Sequence, residues 1–144
     1  MPVSHNPPIY VVGSDKDRNT YRNIVETKEF VLNIPSISML EKVNIAGVKF
    51  PAEIDEFEKA ELTPIPASQV KPHLIAECKS HFECKALNIY EITDTRVIII
   101  GEVVAISINQ DLFLKNFAKQ KGQLDPLFYV QGTYFGLGRY VGKR

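Results

Sequence analysis

Positions 96–109 read Arg96-Val97-Ile98-Ile99-Ile100-Gly101-Glu102-Val103-Val104-Ala105-Ile106-Ser107-Ile108-Asn109, with Glu102 the single polar residue between Val97 and Ile106. β-Branched side chains are stiff at χ1 and fit a pleated surface, so the run predicts a strand. Side chains alternate across a strand. Val97, Ile99, Val103 and Ala105 therefore take one face, and Ile98, Ile100, Val104 and Ile106 the other. A strand that is apolar on both faces must be covered on both. One cover is the interior of a small barrel; the other is a layer of helices or a second subunit. Segment 74–92 leads into this strand through the polar turn Thr93-Asp94-Thr95, which predicts a long antiparallel hairpin. The expectation is a mainly β fold, a β-barrel with a few short helices, assembled as a homodimer over a large apolar interface.

The remaining elements are short. Residues 9–13 are β-branched and aromatic, bounded by a proline pair and Gly13, and predict a strand. Over 19–27, Tyr21, Ile24 and Val25 fall at helical spacing on one face. Residues 30–34 predict a second strand, stopped by Pro35. Ser36 or Ser38 is placed to cap a short helix through Met39, Leu40 and Val43, with Gly47 as its stop. The acidic, proline-bearing stretch 48–70 predicts a surface excursion pinned by Phe50, Ile54, Phe57 and Leu62. Residues 110–121 predict a short helix or turn, and 127–134 a last strand. No repeat or long linker divides the chain, so residues 1–144 are expected to form one domain.

Composition excludes several classes of function. Acidic and basic residues balance at 17 each, and no strand face is both basic and aromatic, which argues against nucleic acid. The longest apolar run, 97–108, is broken by Gly101 and Glu102 and is too short to span a membrane as a helix. The first residues lack a basic start and an apolar stretch, so no secretory signal is visible and a cytoplasmic location is expected. Cys78 and Cys84, six residues apart on one predicted strand, would lie roughly 20 Å apart, beyond disulfide reach. They are expected to be buried free thiols. His5, His73 and His81 are scattered and predict no metal site; His5 is expected in a mobile terminus.

Chemistry concentrates near the N-terminal end. The strand 9–13 runs into the polar turn 14–20, with Arg18 and Thr20 where the helix begins. Helix-start N–H groups have no internal partners and lie at the positive end of the dipole, so such a turn can hold a phosphate. Arg18 adds a fork of donors and Thr20 a hydroxyl. The bland alternative is that Asp17 or Asn19 caps a surface helix while Arg18 is solvated. Glu102 interrupts an apolar strand and fits an ion pair or polar contact at a subunit seam. Glu53, Asp55, Glu56 and Glu58 fit a solvated surface better than a catalytic carboxylate pair. In 132–140, Tyr134, Phe135 and Tyr140 can stack on a flat ring and Arg139 can meet an anion, or all can simply pack at a sheet edge.

Ser4 to Pro8, Arg18-Asn19-Thr20, Asn23-Ile24 and Phe30 to Asn33 together resemble the flavin reductase-like, flavoredoxin-type proteins. So do Phe50-Pro51, Asp55-Glu56-Phe57 and Leu62-Thr63-Pro64, with Glu61 in place of the family's glycine. Glu83-Cys84, Gly101-Glu102-Val103 and Gly136 to Tyr140 continue the match in order. The resemblance implies an FMN-binding split barrel, dimeric, with flavin at or near the subunit boundary. It implies FMN as cofactor, NAD(P)H as hydride donor, and activity as an NAD(P)H-dependent flavin oxidoreductase or a flavoredoxin-like electron carrier. It also implies cofactor-binding roles for Ser4, Arg18, Thr20 and Asn23, and names no catalytic residue. Asn23 equally fits a helix-surface residue. Family members usually carry more chain before the Ser-x-x-Pro-Pro strand, so a truncated or reduced relative is expected. The alternative is a non-enzymatic dimeric barrel that binds flavin weakly or not at all.

Overall fold

A computed structural model describes residues 1–110 and 125–136. Strands dominate. β1 (Pro2–His5), β2 (Pro8–Asp15), β3 (Glu29–Ile34), β6 (Ser80–Glu91) and β7 (Arg96–Ile108) form one antiparallel sheet in the order β1-β2-β7-β6-β3. The short strands β4 (Pro64–Ile65) and β5 (Leu74–Ile75) pair with each other, as do β8 (Phe128–Val130) and β9 (Thr133–Phe135). Between them lie α1 (Asn19–Thr27), a 3-10 turn (Ile37–Met39), α2 (Leu40–Ala46) and α3 (Glu56–Lys59).

The core forms where the apolar run of β7 meets its neighbours. Val97, Ile99 and Val103 pack with Cys84 of β6, Phe30 of β3 and Ile24 of α1. Full burial of each of the larger apolar side chains contributes roughly 1.5–3 kcal/mol. Gly101 is required here, because a Cβ at that position would lie 2.4 Å from Cζ of Phe30. The Phe30 ring thus rests on bare β7 backbone.

Two bulges shape the central hairpin. Glu83 opposes Ala105 but Cys84 opposes Val103, which leaves Val104 without a partner. The alternation of β7 therefore changes phase at that point. The expected faces hold for Val97, Ile99 and Val103. Beyond the bulge they reverse: Ile106 shares a face with Phe82, while Ala105 shares the opposite face with Glu83. A second slip, between Ala86 and Asn88, realigns β6 so that Ile89 meets Ile99. Val104, Ile106 and Ile108 remain exposed in the single chain at 37%, 55% and 43%.

Several expectations need correction. The hairpin starts at Ser80 rather than 74, because Leu74 and Ile75 pair with β4. Cys78 consequently precedes β6 and does not share a strand with Cys84; its Sγ lies 3.9 Å from Sδ of Met39. Both cysteines are free and buried. Burial pushes the Cys78 thiol up to about 11 and the Cys84 thiol to about 12. Val25 is exposed, since α1 buries the single residue Ile24. Excursion 48–70 contains α3, whose cap is the Asp55 carboxylate accepting from the N–H groups of Phe57 and Glu58. His5 is held in β1 opposite Pro8 instead of in a loose terminus. The last strand is a hairpin, turned by Gln131 and Gly132 at φ 47° and 82°. Left-handed backbone suits such a tight turn, and glycine adopts it without strain. Segment 111–124 and residues 137–144, which include Leu137, Arg139 and Tyr140, lie outside the described residues.

Candidate functional site

β2 runs antiparallel to β7, with Gly13 opposite Ile98, Ser14 opposite Val97 and Asp15 opposite Arg96. The chain then turns, Arg18 N–H donating to the Asp15 carbonyl, and enters α1. Arg18 occupies the N-cap position in extended backbone, and among the described residues no side chain caps the helix. Asp17 is diverted: its carboxylate pairs with Lys49, whose ammonium holds it below the usual carboxylate range. Asn19 is diverted as well, its amide donating to Glu56 Oε1 at 3.1 Å and to the Phe50 carbonyl at 3.4 Å. The first turn also carries no acidic residue. Among the described residues, the positive end of α1 therefore keeps its orphan N–H groups.

A pocket of about 590 Å³ opens at that helix end. Gly13, Val97 and Ile98 line it from the sheet, and Ala46 and Gly47 line it from the end of α2. Arg18 and Thr20 both line it. Arg18 Nη1 donates to the Gly47 carbonyl at 3.0 Å, which fixes the side chain yet leaves most of its donors available. A Cβ on Gly13 would find only the Val97 carbonyl oxygen, at 4.0 Å. The strand thus offers bare backbone to the pocket that Arg18 and Thr20 also line.

Asn23 lies on another part of α1, in a groove of about 750 Å³ between α1, residues 52–57 and residues 71–73. Thr20 forms the wall common to both cavities. Ser4 is opposite Ile9 on β1, roughly 17 Å along β2 from Ser14 at about 3.3 Å per residue. The fold thus brings Arg18 and Thr20 together, sets Asn23 beside them, and puts Ser4 on β1, next to the far end of β2.

Two pocket residues and one buried group escaped the sequence analysis. Ser14 and Arg96 line the pocket, but only the β2–β7 register brings Arg96 there. Glu83 is 2% exposed, and its carboxylate accepts from Ser68 N–H, Ser68 Oγ and Gln69 N–H at 3.0, 2.9 and 2.6 Å. Burial raises its pKa, but these donors outweigh burial and leave it below the ordinary Glu value. Glu83 is a clamp for a loop rather than a reacting group. Glu102, which drew attention in the sequence, faces Lys85 and Ile9 across the sheet and is only half-buried. Among the described residues no group of three or more His, Cys, Asp or Glu could hold a metal, and no helix is long and apolar enough to cross a membrane.

The model of the flavin reductase-like domain matches residues 1–138. The chain belongs to that family. An uncharacterised protein of Aquifex aeolicus is 36% identical over 138 residues, covering 92% of this chain and 70% of its own length. The chain spans only 55% and 60% of two further curated relatives. Flavoredoxin of Desulfovibrio vulgaris superimposes with a TM-score of 0.86 at 24% identity, covering 99% of this chain and 77% of that one. A split-barrel domain from Shewanella frigidimarina gives 0.86 at 17% identity, covering 100% and 74%. The fold is the flavin reductase-like split barrel, as the sequence implied.

Proposed function

We propose that this protein is an FMN-binding flavoprotein that transfers hydride or electrons between NAD(P)H and flavin or a downstream acceptor. The observation that carries this reading is the uncapped start of α1, with Arg18 and Thr20 beside the bare backbone of Gly13. Guanidinium, hydroxyl and unpaired N–H groups are the donor set that a phosphate monoester takes. The residues present therefore fit the phosphate end of FMN.

Arg18 and Thr20 would hold the phosphate. The outer face of β2, with Ile9 and Val11, would support the rest of the ligand toward Ser4. Asn23, one turn further along α1 from Thr20, would order the wall between the two cavities. Bound flavin would supply hydride acceptance and electron transfer, and the chain's task would be to bind it, orient it and keep water away. No acid–base residue is assigned. A homodimer belongs to the same reading, supported by the apolar residues that the single chain exposes on β7. A cytoplasmic location does too, supported by two buried thiols that remain unpaired.

The test is a flavin titration. Wild-type protein should take up FMN, show an oxidised flavin spectrum, and bleach when NADH or NADPH is added. Arg18→Ala should weaken FMN by about 1.5–3 kcal/mol and riboflavin, which lacks the phosphate, much less. Equal losses for both ligands would remove Arg18 from the phosphate site. A protein that stays colourless in excess FMN would overturn the whole reading in favour of a barrel without flavin.

A further inference from the structure

Arg96 opens β7 directly across from Asp15, and both line the pocket that holds Arg18 and Thr20. Its side chain is 71% exposed, and its Nε meets Asp15 Oδ1 at 3.3 Å. One contact through Nε leaves the two terminal amino groups of the fork free to meet a second anion. The backbone that carries it is held by the preceding turn: Arg96 N–H donates to Thr93 Oγ1 at 3.1 Å, and Ile92 N–H donates to the Arg96 carbonyl at 2.9 Å. The nearby cation Lys16 is already taken, its Nζ lying 2.7 Å from Glu91 Oε1. Among the described residues the lining therefore presents two guanidiniums, one from the start of α1 and one from β7, against the single carboxylate of Asp15. A surface ion pair alone gives Arg96 little to do, since such pairs contribute roughly 0–1 kcal/mol.

We infer that Arg96 is the second half of a two-arginine grip on a phosphate monoester, closing from β7 the pocket that Arg18 opens from α1. Its role rests on the phosphate placement proposed above. Two guanidiniums favour the dianion over the monoanion. A phosphate monoester loses its second proton near pH 6, so affinity should rise through that pH and the rise should depend on both arginines.

Arg96→Ala is exposed enough to leave the fold intact, which a thermal melt would check. FMN, riboflavin and inorganic phosphate are then titrated at pH 5 and pH 7.5 against wild type, Arg18→Ala and Arg96→Ala. Arg96→Ala is expected to weaken FMN roughly tenfold or more at pH 7.5, to change riboflavin less than about twofold, and to flatten the pH dependence. Inorganic phosphate should compete with FMN in wild type and lose that competition in the variant. NADP⁺ and NAD⁺ as competitors tell whether the 2′-phosphate on the adenosine ribose of NADP⁺ uses the same grip. Equal losses of FMN and riboflavin in Arg96→Ala, or an unchanged FMN affinity while Arg18→Ala is impaired, would overturn the role of Arg96 alone. If neither variant distinguishes FMN from riboflavin, the phosphate site itself is elsewhere and both claims fall.

Discussion

Replacing Glu83 with Gln changes a carboxylate oxygen into an NH₂ group and little else. The carboxylate spans two successive backbone N–H groups, Ser68 on Oε1 and Gln69 on Oε2, with the Ser68 hydroxyl also on Oε1. Gln retains one acceptor, so its amide nitrogen must face an N–H donor whichever way it is turned. A hydrogen bond to a charged group contributes about 1.5–3 kcal/mol, and a buried donor left unpaired costs about 1–3 kcal/mol. The two effects overlap, and a loss of roughly 2–4 kcal/mol is expected. For a domain of this size that lowers Tm by roughly 5–15 °C. The pH dependence follows from the depressed folded pKa. Glu83 stabilises fully above its unfolded value, and that contribution is lost as pH falls through the lower folded value. Wild type should therefore lose stability on acidification from about pH 5 downward more steeply than Glu83→Gln. Urea denaturation at pH 7 and at a series of acidic pH values measures both effects. A variant within about 0.5 kcal/mol of wild type, with a parallel acid slope, would refute the clamp.

Three other outcomes are expected. Gly101→Ala should destabilise by roughly 1–3 kcal/mol in a urea melt, because its Cβ meets the buried Phe30 ring at 2.4 Å; near-neutral behaviour would mean that the ring moves freely. Gly13→Val should keep or slightly raise stability, since the strand there has room, yet it should impair FMN uptake by entering the pocket. Undiminished FMN affinity in that variant would place the ligand elsewhere. With pKa values pushed up to about 11 and about 12 and both side chains buried, Cys78 and Cys84 should resist a thiol reagent at pH 8 until denaturant is added. Rapid labelling of the native protein would contradict their burial.

Helix α1 and the strands around it were legible from local pattern, because Tyr21, Ile24, Gly13 and Pro35 mark periodicity and ends within a few residues of each other. The β6–β7 hairpin was legible too, from β-branched runs joined by a polar turn. The phase change at Val104 was not: a bulge is a property of two strands in register, and nothing in the β7 sequence alone announces it. The same limit hid the pocket. Arg18 and Thr20 are neighbours in the chain and could be paired by reading, whereas Arg96 reaches them only because β2 pairs with β7.

The chain by itself determined that a twice-apolar strand must sit inside a β-rich fold, and that a donor-rich turn precedes the first helix. Burial and backbone preference act over a few residues, so a linear pattern carries them. Tertiary structure alone decided which carboxylate is buried, where Asp17 and Asn19 spend their hydrogen bonds, and that the positive end of α1 is consequently left open. Those outcomes depend on partners tens of residues away in the chain, and competition among such partners is settled only once the chain has closed on itself.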